Sequence, residues 1–348
     1  MIREIAAVVL IVLLSWAYNS TYPPPPKICG RDPDGPPVTA PRIKLRDGRH
    51  LAYKTHGVPQ SSAKFNLITL HGTSSSLHDI PGSPQVWEEL GLHMVSFDRP
   101  GYGESDPDPK RTPKSLAMDV EELADQLELG SKFYLIGFSM GGQAVWGCLK
   151  YIPHRLAGVA MVAPVVNYWW PGFPANLSKQ AYNLQLPEDQ WALRVTHHTR
   201  CLTYWWNSQK WFPGSAVLAG NPRVLSPQDL KIASMAWEDV TKLRGYATQQ
   251  GKFESLHRDL MVGFGSWEFD PMDLENPFPE SGGLEGGGSV HVWQGDEDGM
   301  VPVLLQRYIA TRLPWIQYHE VPGAGHLFPY LPSYADAILR SLLLGKNN

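Results

Sequence analysis

Cysteine is scarce in this chain: three in 348 residues, at positions 29, 148 and 201. That is too few for a disulfide framework. None stands in a CxxC pair or in a Cys/His cluster with zinc-ligand spacing. Cys148 is expected to pack in a core, and at most one bridge, Cys29 to Cys201, is conceivable if those residues face an oxidising lumen. An excess of positive charge is also missing. With 30 Lys and Arg against 34 Asp and Glu, net −4, the surface offers no basic field, and no DNA or RNA partner is expected. The Gly-rich stretch "SGGLEGGGS", residues 281–289, lacks a following Lys-Ser/Thr and precedes a strand, so it reads as a connection and not as a phosphate loop. His197 and His198 adjoin with no carboxylate at ligand spacing, so neither metal nor cofactor is expected.

What the chain does have begins at its N-terminus. The run from Ile5 to Tyr18, "IAAVVLIVLLSWAY", is uncharged. Fourteen residues of helix reach about 21 Å against the roughly 30 Å of a bilayer core, so a cleaved signal competes with a short anchor. Trp16 and Tyr18 favour the membrane interface, Asn19 to Tyr22 could extend the helix slightly, and the segment is read as a single N-terminal anchor in the secretory or endomembrane system, the alternative being secretion after cleavage. Eight Pro then fall between residues 23 and 41. This linker will not pack as helix or sheet; at about 3.1 Å per residue it could hold a domain several tens of Å from a membrane, or lie along its surface.

Beyond the linker, two short strands flank Asp47-Gly48, a hairpin signal. Apolar strand-like runs at 66–70, 93–97, 133–136, 157–162, 290–293 and 316–321 then alternate with helical stretches such as 115–127 and 303–312. This is the pattern of an α/β fold, a mostly parallel sheet with helices on both faces. The alternation fails over 168–267, which reads as an inserted, mainly helical cap; the core is then 41–167 and 268–348, after a hydrophobic segment 1–22 and a linker 23–40. Eight of the thirteen Trp lie in the insertion, at 169, 170, 191, 205, 206, 211, 237 and 267. Most should seal it onto the core, with two or three touching substrate.

The stretch "KFYLIGFSMGGQ", residues 132–143, passes from strand to helix through a lone Ser. In so tight a turn Ser139 must take a strained backbone, and Gly137 and Gly141 have no Cβ to collide. The hydroxyl is lifted off the sheet, and the Met140 N–H at the helix start faces any negative charge developing beside it. Such a GxSxG elbow demands an acid and a His later in the chain, each on a loop after its own strand. "VHVWQGDEDGMVP" and "YHEVPGAGH" supply them. His326 would accept the Ser139 proton, and Asp296, Glu297 and Asp298 compete to fix its tautomer.

With these motifs in that order, the chain resembles the α/β-hydrolase superfamily from about residue 41 to 345, in the branch with cap insertions. The resemblance implies an α/β-hydrolase fold and a triad acid at the second Asp of GDxDxxVP, here Asp298, leaving Asp296 to bond the turn and Glu297 to solvent. It also implies a second oxyanion donor after the HG pair of "LHGTSSS", the N–H of Thr73 joining that of Met140. "FDRPGYGES" resembles a loop in which Asp98 and Arg99 shape a turn. His71 would brace its own loop, and His78 and Asp79, which could reach the pocket, are read as solvated loop residues. Epoxide hydrolases and haloalkane dehalogenases resemble the chain in cap and sheet but need a carboxylate where this chain has Ser139. The implied activity is a serine hydrolase acting on a carboxylic ester, thioester or lipid acyl group. An acyltransferase with the same triad and a small-ligand receptor on a hydrolase scaffold remain as alternatives. The N-terminal segment and linker resemble those of uncharacterised membrane-anchored plant members.

Overall fold

The computed structural model describes residues 2–235, 237–279 and 288–345, with side chains omitted at 2 and 237–240. Most of the Gly-rich stretch 281–289 therefore lies outside the described residues, as does the Trp237 side chain.

Eight strands make one sheet: β1 (Arg42–Lys44), β2 (His50–Gly57), β3 (Phe65–Leu70), β4 (Leu92–Phe97), β5 (Phe133–Phe138), β6 (Leu156–Val162), β7 (Val290–Gly295) and β8 (Ile316–Val321). Their spatial order is β1-β2-β4-β3-β5-β6-β7-β8. The Asp47-Gly48 turn folds β1 back on β2, and β2 runs antiparallel to β4; every later pairing is parallel. The residues of β4 and β7 are buried along their whole length, as in a parallel sheet covered on both faces, polar His93, Ser96, His291 and Gln294 included.

The helices are α1 (Ile2–Thr21), α2 (Pro84–Leu90), α3 (Pro113–Gln126), α4 (Met140–Tyr151), α5 (Ala175–Asn183), α6 (Pro187–His198), α7 (Thr203–Ser208), α8 (Ala216–Ala219), α9 (Pro227–Met235), α10 (Trp237–Ala247), α11 (Arg258–Gly263), α12 (Val303–Arg312) and α13 (Pro332–Leu344). Apolar residues of α3, α4 and α12 cover one face of the sheet, and those of α2 and α13 the other. Helices α5 to α11 all fall between β6 and β7, where the alternation of the sequence fails.

The N-terminal part holds a helix and a strap. The first helix runs twenty residues, six more than the uncharged run, because Arg3 and Glu4 join its first turn and Asn19 to Thr21 its last. Its length of about 30 Å matches a bilayer core. The Pro-rich linker, in turn, is strapped to the body. Lys27 N–H donates to the Gln250 carbonyl at 2.9 Å and Cys29 N–H to the Gln250 side chain at 3.1 Å. Farther on, the N–H groups of Thr39 and Ala40 donate to Glu104 at 2.8 and 2.9 Å. A polyproline segment cannot pair with itself, so its remaining donors find acceptors on the domain. The Cys29–Cys201 bridge does not form: Cys29 is buried against the Gly103 carbonyl, whereas Cys201 is exposed on the insertion. Cys148 is fully buried in α4. Burial pushes both the Cys29 and Cys148 thiols up to about 12, so neither supplies a thiolate.

Candidate active site

Strand β5 ends at Phe138 and α4 begins at Met140, leaving Ser139 alone to turn the chain, at φ 54° and ψ −116°. Positive φ costs a non-glycine residue free energy of order 1–3 kcal/mol, held here because the surroundings leave no other path. A Cβ on Gly137 would come within 2.4 Å of the Gly141 carbonyl oxygen, and one on Gly141 within 2.1 Å of the Leu70 carbonyl oxygen. The turn can be this tight only with glycine at both places. Ser139 N–H is anchored on the Val162 carbonyl at 2.9 Å, which ties the elbow to β6.

The loops after β7 and β8 bring the other two residues to it. His326 Nε2 is 3.0 Å from Ser139 Oγ, and His326 Nδ1 is 2.7 Å from Asp298 Oδ2. An ionised Asp298 only accepts, so Nδ1 carries the proton and Nε2 is left to accept from the Ser139 hydroxyl. Asp298 is itself pinned: Oδ1 accepts the N–H groups of Met300 and Val301 at 2.8 and 2.9 Å, and Oδ2 accepts the Gln294 amide at 3.0 Å. Its neighbours go elsewhere. Asp296 accepts the Gly323 N–H at 2.7 Å, and Glu297 is exposed. Burial works against a charged His326, but the carboxylate of Asp298 outweighs it, with Asp229 adding to the effect, and the imidazole stands above its ordinary 6.5.

Of the two expected oxyanion donors, Met140 heads α4, where its N–H has no carbonyl one turn back. Thr73 follows Gly72, and a Cβ on Gly72 would sit 3.1 Å from the Ser139 Cβ, so the HG loop runs directly against the Ser139 side chain. His71 holds that loop by donating from Nδ1 to the Gly72 carbonyl at 2.8 Å while Nε2 accepts the Arg99 N–H at 3.0 Å. Burial, reinforced by the Arg99 charge, drives its pKa well below the ordinary value and keeps this ring neutral.

Arg99 does more than shape its turn. It donates to the carbonyls of His71 at 2.9 Å and Gly72 at 3.1 Å, and forms a two-pronged pair with Asp259 of α11 at 2.8 and 2.7 Å. Arg111 and Tyr102 also reach Asp259, each at 2.6 Å. Burial raises the pKa of the Asp259 carboxyl, but Arg99 and Arg111 prevail and hold it below the usual range. Asp79 is not a solvated loop residue either. It bonds Ser75 at 2.8 Å and Tyr330 at 3.1 Å, and lines a cavity of ≈ 40 Å³ with His71, Phe138 and Tyr330; burial pushes its carboxyl up. His78 is exposed, edge-on to Tyr246 at 5.1 Å.

None of the described Trp rings lines that cavity. Trp170 and Trp267 pack edge-to-face at 5.0 Å, Trp170 meets Trp146 of α4 at 6.5 Å, and Trp169 stacks on His197 at 4.2 Å. Trp191 and Trp211 are exposed, and Trp205 and Trp206 are half-buried. Aromatic rings gain from one another as well as from burial, so a cluster of them need not wall a pocket.

Asp229, in the first turn of α9, was not singled out by the sequence. It is fully buried and its two oxygens accept the consecutive N–H groups of His326 and Leu327 at 2.9 and 2.6 Å. Ser226 and Asp229 also bond reciprocally at 3.1 Å, a capping box. The pattern "SPQD" signals that helix start, but nothing in it signals the second duty.

The chain matches the alpha/beta hydrolase family over residues 67–340, most of its length, and belongs to that family. Among curated relatives, mouse Protein ABHD14A is 25% identical over 155 residues, 44% of this chain and 63% of that protein. The pimeloyl-[acyl-carrier protein] methyl ester esterase of Edwardsiella ictaluri is 30% identical over 121 residues, 33% of this chain and 44% of the esterase. The chain thus aligns with less than two thirds of each. Among solved structures, a thermophilic esterase from Thermogutta terrifontis superposes with a TM-score of 0.57 at 21% identity, covering 88% of this chain and 98% of the esterase. The enol-lactonase from Burkholderia xenovorans LB400 superposes with a TM-score of 0.56 at 15% identity, covering 86% and 98%. At such identities the likeness is one of fold.

Proposed function

We propose that this protein is a serine hydrolase that cleaves a carboxylic ester through an acyl-enzyme. The observation that carries the reading is the relay Ser139 Oγ, His326, Asp298, with links of 3.0 and 2.7 Å in one buried site. Ser139 attacks the ester carbonyl while His326 Nε2 takes its proton, and Asp298 stabilises the imidazolium that results. The oxyanion of the tetrahedral intermediate is held by the N–H groups of Met140 and Thr73; losing one such donor typically costs about 3 kcal/mol of transition-state stabilisation. His326 then gives its proton to the departing alkoxide, so the alcohol leaves neutral. In the second half, water loses a proton to His326 and attacks the acyl carbon, releasing the acid and restoring the Ser139 hydroxyl. Residues 168–267 act as the cap, and α1 as the anchor of a membrane-bound enzyme of the secretory system. Ester hydrolysis among the relatives by name supports the reaction class.

The test is labelling of the purified protein by a fluorophosphonate probe together with turnover of p-nitrophenyl esters. Wild type is labelled and turns over, and Ser139→Ala loses both, with turnover down by roughly 10⁴- to 10⁶-fold. Equal labelling of the mutant removes Ser139 as nucleophile.

A further inference from the structure

The insertion carries a row of aromatic rings that do not seal it onto the core. Trp191 and Trp211 are 52% and 68% exposed. Trp191 stacks on Trp206 at 6.0 Å, Trp206 meets Trp205 at 6.2 Å, and Trp205 meets Trp211 at 6.1 Å. The loop that presents Trp211 is firmly built. The Gln209 side chain accepts the N–H groups of Trp211 and Phe212 at 2.6 and 3.0 Å and donates to the carbonyls of Trp206 and Phe212 at 3.1 and 2.7 Å. A polar side chain is thus spent on holding an indole out toward solvent.

The row does not stop at the insertion. Trp16 of α1 lies 6.2 Å from Trp211, ring to ring. None of the apolar stretch Arg3–Thr21 is buried by the rest of the chain, and it is long and apolar enough to cross a bilayer. Its last turns carry Trp16 and Tyr18, and Tyr22 follows directly, each more than half exposed. The linker's bonds to Gln250 and Glu104 begin at Lys27, six residues past the last residue of this helix, and so keep the domain close to its end. Trp and Tyr suit the membrane–water boundary, where an apolar ring body and a polar N–H or O–H are both satisfied.

We propose that the Trp191–Trp205–Trp206–Trp211 face of the insertion seats in the interfacial layer of a lipid bilayer, beside the point where α1 enters it. The occupant is lipid rather than a second copy of the chain, because the face is continuous with a helix whose own apolar surface only lipid of that depth would cover. The seating holds the insertion, whose Asp229 and Asp259 reach the His326 and Arg99 loops, against the membrane. Given the ester hydrolysis proposed above, on which this consequence rests, the substrate class is an acyl lipid drawn from the bilayer.

The full chain in single-copy phosphatidylcholine nanodiscs tests the surface without any turnover. In a Cys201→Ser background, a nitroxide is placed by Trp211→Cys, and in a second protein by Ser131→Cys, an exposed position at the start of β5, the end of the sheet away from the insertion. At 211 collisions with oxygen should exceed those with a water-soluble nickel chelate, at 131 the reverse. A label at 211 as open to nickel as the one at 131 overturns the proposal, including the case in which a second copy covers the face only at high density. As a second readout, Trp191→Ser with Trp211→Ser should raise KM several-fold for a vesicle-borne ester and leave that for a soluble ester unchanged. Labels at depth with no ester turned over by wild type would keep the surface and remove the ester reading.

Discussion

The carboxylate of Asp229 accepts the backbone N–H of His326 at 2.9 Å, so a helix of the insertion fixes the loop that carries His326. Its other oxygen takes the next N–H, that of Leu327, at 2.6 Å. Two consecutive amides on one carboxylate leave the imidazole little freedom to drift from Ser139.

Asp229→Ala should therefore lower kcat by about 10- to 100-fold, the usual cost of an ångström-scale misplacement of a reacting group. Stability should fall by about 1–3 kcal/mol for the buried N–H groups left unpaired, read by urea unfolding. A purely structural role would leave the pH profile alone. Here the negative charge of Asp229 helps to raise the His326 pKa, so its removal should move the acidic limb of kcat/KM to lower pH. An unmoved limb with an unchanged kcat would free Asp229 of any positioning role.

The two Asp of the β7 loop separate cleanly. Asp298 faces the His326 ring, whereas Asp296 holds only the Gly323 N–H. Asp298→Asn should cost about 10⁴-fold in kcat, because an amide that donates to Nδ1 imposes the wrong tautomer. Asp296→Asn should cost little, since its carbonyl oxygen can still accept from Gly323. If Asp296→Asn proved the more damaging in folded protein, the acid would have to be reassigned.

How much of this could be read in the chain differs between local and long-range features. Ser139, Gly137 and Gly141 are legible because a turn between strand and helix constrains residues within five positions. The strands from β3 to β8 announce themselves by apolar runs, for the same local reason. Asp229 and Asp259 were not legible: each satisfies backbone or guanidinium groups about 100 or more residues away, and an acidic residue in a helix's first turn already has a sufficient local explanation. Arg99 was read as a turn residue because its distant partner has no sequence signature. Composition counts the Trp of the insertion but does not say which way each ring faces.

As the proposed base, His326 should also set the pH dependence of wild type. Only the neutral ring can take the Ser139 proton, and the nearby carboxylates hold the charged form to higher pH than an ordinary imidazole. Activity should therefore be full in mildly alkaline buffer and fall as pH drops through an inflection above 6.5, one proton per site. Profiles of kcat/KM for a neutral ester over pH 5–9 read this directly. An inflection well below 6.5 would mean that desolvation, not Asp298, dominates the ring.

The side of the membrane on which the proposed enzyme would lie can be read from glycosylation. Two N-x-S/T sequons are present, Asn19-Ser20-Thr21 and Asn176-Leu177-Ser178. Asn19 lies within the last turn of α1, too near the bilayer for a glycosyltransferase if that helix spans it. Asn176 is exposed in the first turn of α5, and its surroundings allow a glycan to extend into water. Residue charge does not decide orientation, because Arg3 is followed at once by Glu4 and the next cation is Lys27. A domain in the secretory lumen should lose mass on glycosidase treatment when expressed in a eukaryotic cell, stay with carbonate-washed membranes, and lose the glycan in Asn176→Gln but not in Asn19→Gln. Digestion of the domain by protease added to the cytosolic side, with no glycan gained, would place the enzyme in the cytosol. Release into the medium with a new N-terminus near Tyr18 would make α1 a cleaved signal, and would also take away the helix beside which the Trp211 face is proposed to seat.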